Sequence, residues 1–168
     1  MGTNQIIMKT NQIKHVLIAV DYDPTAQKVA EQGFSLAKSM GAEVTLLHVI
    51  TDSTYYTSTE FSPVLGIGGY IETAQIQMDT VDGLRNAAQH FLDKTTRHLE
   101  DTNIKTIVNE GDIADTILET SKKLKADVIV MGSHSQKWLE NILVGSVTEE
   151  VMKQTRIPLF LIPTKKRS

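Results

Sequence analysis

Small residues gathered where an apolar strand meets a helix are the feature of this chain best suited to chemistry. The run is Met131-Gly132-Ser133-His134-Ser135, followed after Gln136 to Val144 by Gly145-Ser146. Glycine lets the backbone come close to a ligand, and the first amides of a helix, which have no partner within it, attract anions. Ser146-Val147-Thr148-Glu149 has the form of a capping box and predicts a helix that begins there. A phosphate is the ligand such a turn would take. Read singly, Gly132 could merely end a strand, and Ser146 with Glu149 could merely cap a helix.

Other groups invite chemistry less strongly. In Asp21-Tyr22-Asp23, Asp21 closes an apolar run and could hold a ribose or a magnesium ion, whereas Asp23-Pro24 is an ordinary lead-in to a helix and Asp23 is expected to cap it. Ser133-His134-Ser135 holds nucleophile and base types, yet adjacent side chains seldom face each other and no Gly-x-Ser-x-Gly elbow is present. No Gly-x4-Gly-Lys-Ser/Thr run occurs, which excludes a P-loop enzyme. Gly66-Ile67-Gly68-Gly69 does not join a strand directly to a helix, so it is weak evidence for a dinucleotide loop. His90 and His98 are roughly two helical turns apart, about 12 Å, too far to chelate one ion, and are expected at the surface.

The elements that must position these residues alternate regularly. Strands are predicted at His15 to Val20, Glu43 to Ile50, Lys105 to Asn109, Asp127 to Met131 and Ile157 to Ile162. Between them, helices are predicted from Thr25 to Met40, closed by Gly41; from about Met78 to Asp101; after Asp112, with Ile113, Ile117, Leu118 and Leu124; and from Ser146 to about Thr155. The long helix should turn Val81, Leu84, Ala88, Phe91, Leu92, Thr95 and Leu99 inward. Thr51 to Thr73, crowded with Ser, Thr, Tyr and Gly, reads as a long mobile loop. The pattern is that of an α/β domain: a three-layer, doubly wound, Rossmann-like parallel sheet of five strands. Ligands of such sheets gather at the carboxyl ends of the strands, where strand order reverses. If the first and fourth strands are neighbours there, Asp21 and Gly132 flank one crevice.

Bulk properties narrow the classes. A chain of 168 residues with 40% hydrophobic and 22% charged residues fits one domain with a real core. The domain is expected at 14–164, behind a flexible lead-in at 1–13 and ahead of a basic tail at 165–168. A net charge of −3 gives no general attraction for nucleic acid or an anionic membrane. No apolar run approaches the roughly 20 residues of a spanning helix, and the polar start lacks a signal-peptide core, so a cytoplasmic protein is expected. The absence of cysteine excludes disulfides and thiolate chemistry. Trp138 and Leu139, inside the spacer before Gly145, are expected to pack the loop on the domain or meet a partner. The apolar last strand, flanked by Pro158 and Pro163, is expected at a sheet margin, where it could pair with its own copy.

Gly132, Ser135 and Gly145-Ser146 resemble the nucleotide-binding signature of the universal stress proteins, Gly-x2-Gly-x9-Gly-Ser/Thr, and the likeness runs from about Lys14 to Thr164. The chain departs from that signature at Ser135, which stands at the second glycine. Its Cβ is costly wherever the backbone takes a positive φ or closely meets a phosphate, and its hydroxyl is itself able to bond an oxygen. The resemblance implies ATP or a related adenine nucleotide, with magnesium riding on the phosphates. It implies contacts from Met131 and from the amides of Gly132, Ser135, Gly145, Ser146 and Val147. Asp21, in Ala19-Val20-Asp21, would approach the nucleoside, and the base contact falls on His48-Val49, with Val49 as the residue that holds it. It further implies a homodimer paired through Ile157 to Ile162. The expected task is that of a stress-response regulatory module in which occupancy could order the loop from Thr51 to Thr73 for an unknown protein partner. A dimeric adaptor without nucleotide and a slow ATPase are the alternatives.

Overall fold

The computed structural model describes residues 10–22, 24–51, 81–133 and 145–164. Among the described residues five strands and four helices alternate: β1 (His15–Ala19), α1 (Ala26–Ser39), β2 (Glu43–Ile50), α2 (Val81–His98), β3 (Lys105–Glu110), α3 (Ile113–Lys123), β4 (Val128–Gly132), α4 (Ser146–Gln154) and β5 (Leu159–Ile162). All pairings are parallel, in the order β3-β2-β1-β4-β5. The chain builds outward from β1 through β2 to β3, then returns to lay β4 on the other side of β1. That reversal is the switch point expected of a doubly wound sheet.

Period-2 patterning divides the core into two layers. Val16, Ile18, Val44, Leu46, Val128 and Val130 pack with Val29, Ala30 and Ala37 of α1 and Leu92 of α2. The intervening residues Leu17, Leu47, Val49, Ile129 and Met131 pack with Ala114, Ile117 and Leu118 of α3 and Val151 of α4. Strands covered on both faces need apolar residues at both parities, which explains their continuous apolar runs. Each fully buried Leu or Ile contributes roughly 1.5–3 kcal/mol of apolar transfer.

Local chemistry sets the element ends. Gly41 takes φ +64° after α1, with its amide on the Lys38 carbonyl at 3.1 Å and the Ala42 amide on that of Ala37 at 2.9 Å, a Schellman closure that favours glycine. Asp112 caps α3 as expected, accepting from the Asp115 amide at 3.0 Å. Two expectations are corrected. Val81 was expected inward, but it is 51% exposed at the start of α2, where it lines the open mouth of a cavity. The capping box at Ser146 does not form: Gly145 is the N-cap, Ser146 is the first helical residue, and Glu149 pairs with Lys153 at 2.7 Å. One residue of shift is enough, because the box requires its Ser at the cap itself.

Candidate functional site at the carboxyl edge of the sheet

Of the residues proposed for the site, those described stand at one end of the sheet. Asp21 follows β1 and is exposed; Val49 is near the end of β2; Met131 and Gly132 end β4; Gly145, Ser146 and Val147 open α4. Ser135, Asp23, His134, Trp138 and Leu139 lie outside the described residues, as do 52–80 and the two termini.

Hydrogen bonds set the helix start against the strand ends. The Thr148 hydroxyl donates to the Gly132 carbonyl at 3.0 Å, and the Gly145 amide donates to the Ser133 carbonyl at 2.9 Å. The Gly145 amide therefore closes the turn. Ser146 and Val147 supply the first-turn amides that face outward, with no side chain capping the helix. Ser133 also ties in β5, donating its amide to the Ile162 carbonyl at 2.9 Å and accepting the Thr164 amide on its hydroxyl at 3.2 Å. Gly132 is closely packed: a Cβ there would stand 2.9 Å from Thr164 Cγ2 and 3.2 Å from Val29 Cγ2, so these side chains would have to shift.

At the carboxyl end of the sheet, β2 outruns β1. The β1–β2 register ends at Ala19↔Leu47, followed by one further bond from the Val20 amide to the Leu47 carbonyl at 2.9 Å, while β2–β3 pairing continues to Ile50↔Glu110. Asp21 and Val49 come directly after Val20 and His48, which a hydrogen bond joins across these two neighbouring chain segments. The Val49 and Met131 side chains are buried in the core, so their share in a site would come from the main chain. A cavity of about 430 Å³ opens at the ends of β2 and β3, among Ile50, Thr51, Val81, Leu84, Glu110, Gly111 and Asp112.

The residue that sequence reasoning left without a task of its own is His48. It is 2% exposed, and its Nδ1 donates to the Val20 carbonyl at 2.9 Å. A carbonyl only accepts, so Nδ1 carries the proton and Nε2 of the neutral ring is a bare acceptor. That atom is buried without a hydrogen-bond partner. The ring lies against Tyr22, centroids 4.4 Å apart, and Phe91, at 6.0 Å. Desolvation lowers its pKa from the ordinary 6.5 to about 4, opposed by the bond to Val20. His98 is at the surface as expected, its Nε2 2.6 Å from Glu31 Oε1, and His90 is exposed as well.

These elements define a doubly wound parallel domain with a helix N-terminus at its switch point. The universal stress protein family model matches residues 12–163, and the chain belongs to that family. Universal stress protein MJ0577 of Methanocaldococcus jannaschii is 28% identical over 155 residues, covering 90% of this chain and 96% of that protein. The solved structure of MJ0577 superposes with a TM-score of 0.70 at 25% identity, over 94% of this chain and all of that one. A universal stress protein from Archaeoglobus fulgidus, in complex with dAMP, shares the fold at TM-score 0.60 and 18% identity, over 90% of this chain and 98% of that chain. Another, in complex with cAMP, does so at 0.59 and 16%, over 92% of this chain and all of that one. Among the described residues no helix is long and apolar enough to cross a membrane.

Proposed function

We propose that this chain binds ATP or a related adenine nucleotide at the carboxyl edge of its sheet and acts as a stress-response regulatory module. The observation that carries this reading is the start of α4. Gly145 caps the helix without a side chain, beside the ends of β4 and β1, so the outward amides of Ser146 and Val147 meet an anion at the sheet's switch point. The phosphates would be met by the main chain of Met131 and Gly132 and by Ser135. Asp21 and the main chain of Val49 take the nucleoside. Magnesium would ride on the phosphates, which suits an ion that keeps most of its water. The family members holding dAMP and cAMP support an adenine ligand.

The module works as a cytoplasmic homodimer through β5. That strand is at the sheet margin, with Phe160 41% exposed and prolines on both sides. An apolar open edge is a ready pairing surface for a second copy.

A second reading has its own observation. The Gly145 amide is already engaged by Ser133, and Ser135 replaces a signature glycine, which favours a dimeric adaptor that does not bind nucleotide. One experiment separates the two: mass analysis of any nucleotide released on denaturation, then calorimetric titration of magnesium ATP into the emptied protein. One nucleotide per chain supports the binding module. Silence toward ATP, ADP and AMP, with binding gained in Ser135→Gly, supports the adaptor.

A further inference from the structure

We infer that His48 is a positioning residue for the nucleoside end of this site: its ring N–H, by holding the Val20 carbonyl, fixes Asp21 against Val49. The inference rests on the nucleotide reading above and adds to it a residue whose side chain touches no ligand. The β1–β2 main-chain ladder ends with the bond from the Val20 amide to Leu47, and the next main-chain acceptor along the chain is Val20's own carbonyl. Val20 is 6% exposed, so this carbonyl needs a donor from the protein. His48 Nδ1 supplies it at 2.9 Å, extending the ladder by one bond made through a side chain. The two bonded residues are the immediate neighbours of Asp21 and Val49.

The ring cannot readily turn away. Tyr22 and Phe91 hold it at centroid distances of 4.4 and 6.0 Å, and Tyr22 also packs edge-on to Phe91 at 5.2 Å. Leaving Nε2 buried and unpartnered has a cost that apolar packing alone would not require, since Phe or Leu would fill the same space without it. The Nδ1–H bond is what a histidine adds at this position.

Two substitutions separate the bond from the ring. His48→Asn keeps a side-chain N–H at the reach of Nδ1 and loses the ring, whereas His48→Phe keeps the ring and loses the donor. Calorimetric titration with magnesium ATP at pH 7 is expected to show the Phe variant weakened tenfold or more and the Asn variant within about threefold of the parent. Equal affinity or equal loss in the two variants, or the reverse ranking, overturns the proposal. If the Phe variant does not fold, His48→Leu makes the same comparison. In the unaltered protein, a long-range proton–nitrogen spectrum must show the Nδ1–H tautomer, and an Nε2–H tautomer also overturns the proposal. A parent protein that takes up no adenine nucleotide removes the nucleotide reading and this proposal with it, whereas a parent that binds beside unaffected variants removes this proposal alone.

Discussion

The two ends of the sheet each carry a histidine, and the two are treated differently. At the amino end, both ring nitrogens of His15 have partners, Nδ1 at 3.2 Å from the Leu124 carbonyl and Nε2 at 2.8 Å from the Thr45 hydroxyl. Beside it, the Asp127 carboxylate accepts the amides of Lys14 at 2.8 Å and His15 at 3.0 Å, closing β1 against β4. At the carboxyl end, His48 keeps one nitrogen unpartnered, β1 stops short of β2, and α4 starts on a glycine without a side-chain cap. Polar groups at the first end are spent on holding strands together. Those at the second leave amides and strand ends facing outward, as binding sites do when structural satisfaction is given up for function.

The largest effect expected from this contrast is in acid. Folding lowers the His48 pKa from 6.5 to about 4, so the unfolded chain takes up the proton first as pH falls. The stabilisation from keeping this ring neutral is whole above pH 6.5 and is lost between 6.5 and 4, by about 3 kcal/mol. Denaturant unfolding across that window should show the loss in the parent and a smaller pH dependence in His48→Phe. Equal slopes would mean that His48 is not the buried titrating group.

The amino end is tested next by Asp127→Ala, which leaves two amides without their acceptor. A loss of about 2–3 kcal/mol in stability is expected, with ligand affinity at the far end unchanged. Loss of affinity without loss of stability would reverse the assignment of the two ends. Gly132→Ala forces its Cβ against Thr164 and Val29, and an overpacking loss of about 1–3 kcal/mol should appear in thermal unfolding. No loss would show that β4 and the segment after β5 part easily.

Smallest in energy and most specific is Ser146→Pro. Ser146 is the first helical residue, where proline fits, and Gly145 before it has φ −66° and ψ 155°, the conformation a residue preceding proline prefers. The substitution removes one amide donor and leaves the helix intact. Stability should hold within about 0.5 kcal/mol while adenine-nucleotide affinity drops about tenfold, the loss of one hydrogen bond to a charged group. Unchanged affinity, measured by calorimetry, would remove the α4 amides from the site.

Much of this architecture is legible in the residues because its causes are local. Gly41 after a periodic segment, Asp112 ahead of another and the apolar runs at both parities each carry their own physical reason for a helix end or a buried strand. The doubly wound pattern made the juxtaposition of β1 and β4 a condition for one crevice, and the sheet order meets it. The finer features depend on partners distant in sequence. Alternation can place His48 on a face, but only the Val20 carbonyl across the sheet gives it a task. The capping box at Ser146 is absent because the cap falls one residue earlier, on Gly145. Likewise, nothing in Gly145's immediate surroundings says that the Ser133 carbonyl takes its amide.

The most direct test follows the backbone amide resonances of the isotope-labelled protein as magnesium ATP is added. Saturable shifts are expected at Asp21, Val49, Gly132, Ser146 and Val147, with His15, Thr45 and Asp127 unmoved. Shifts centred on the His15 and Asp127 end, or no shifts at millimolar ATP, would contradict a nucleotide site at the carboxyl edge.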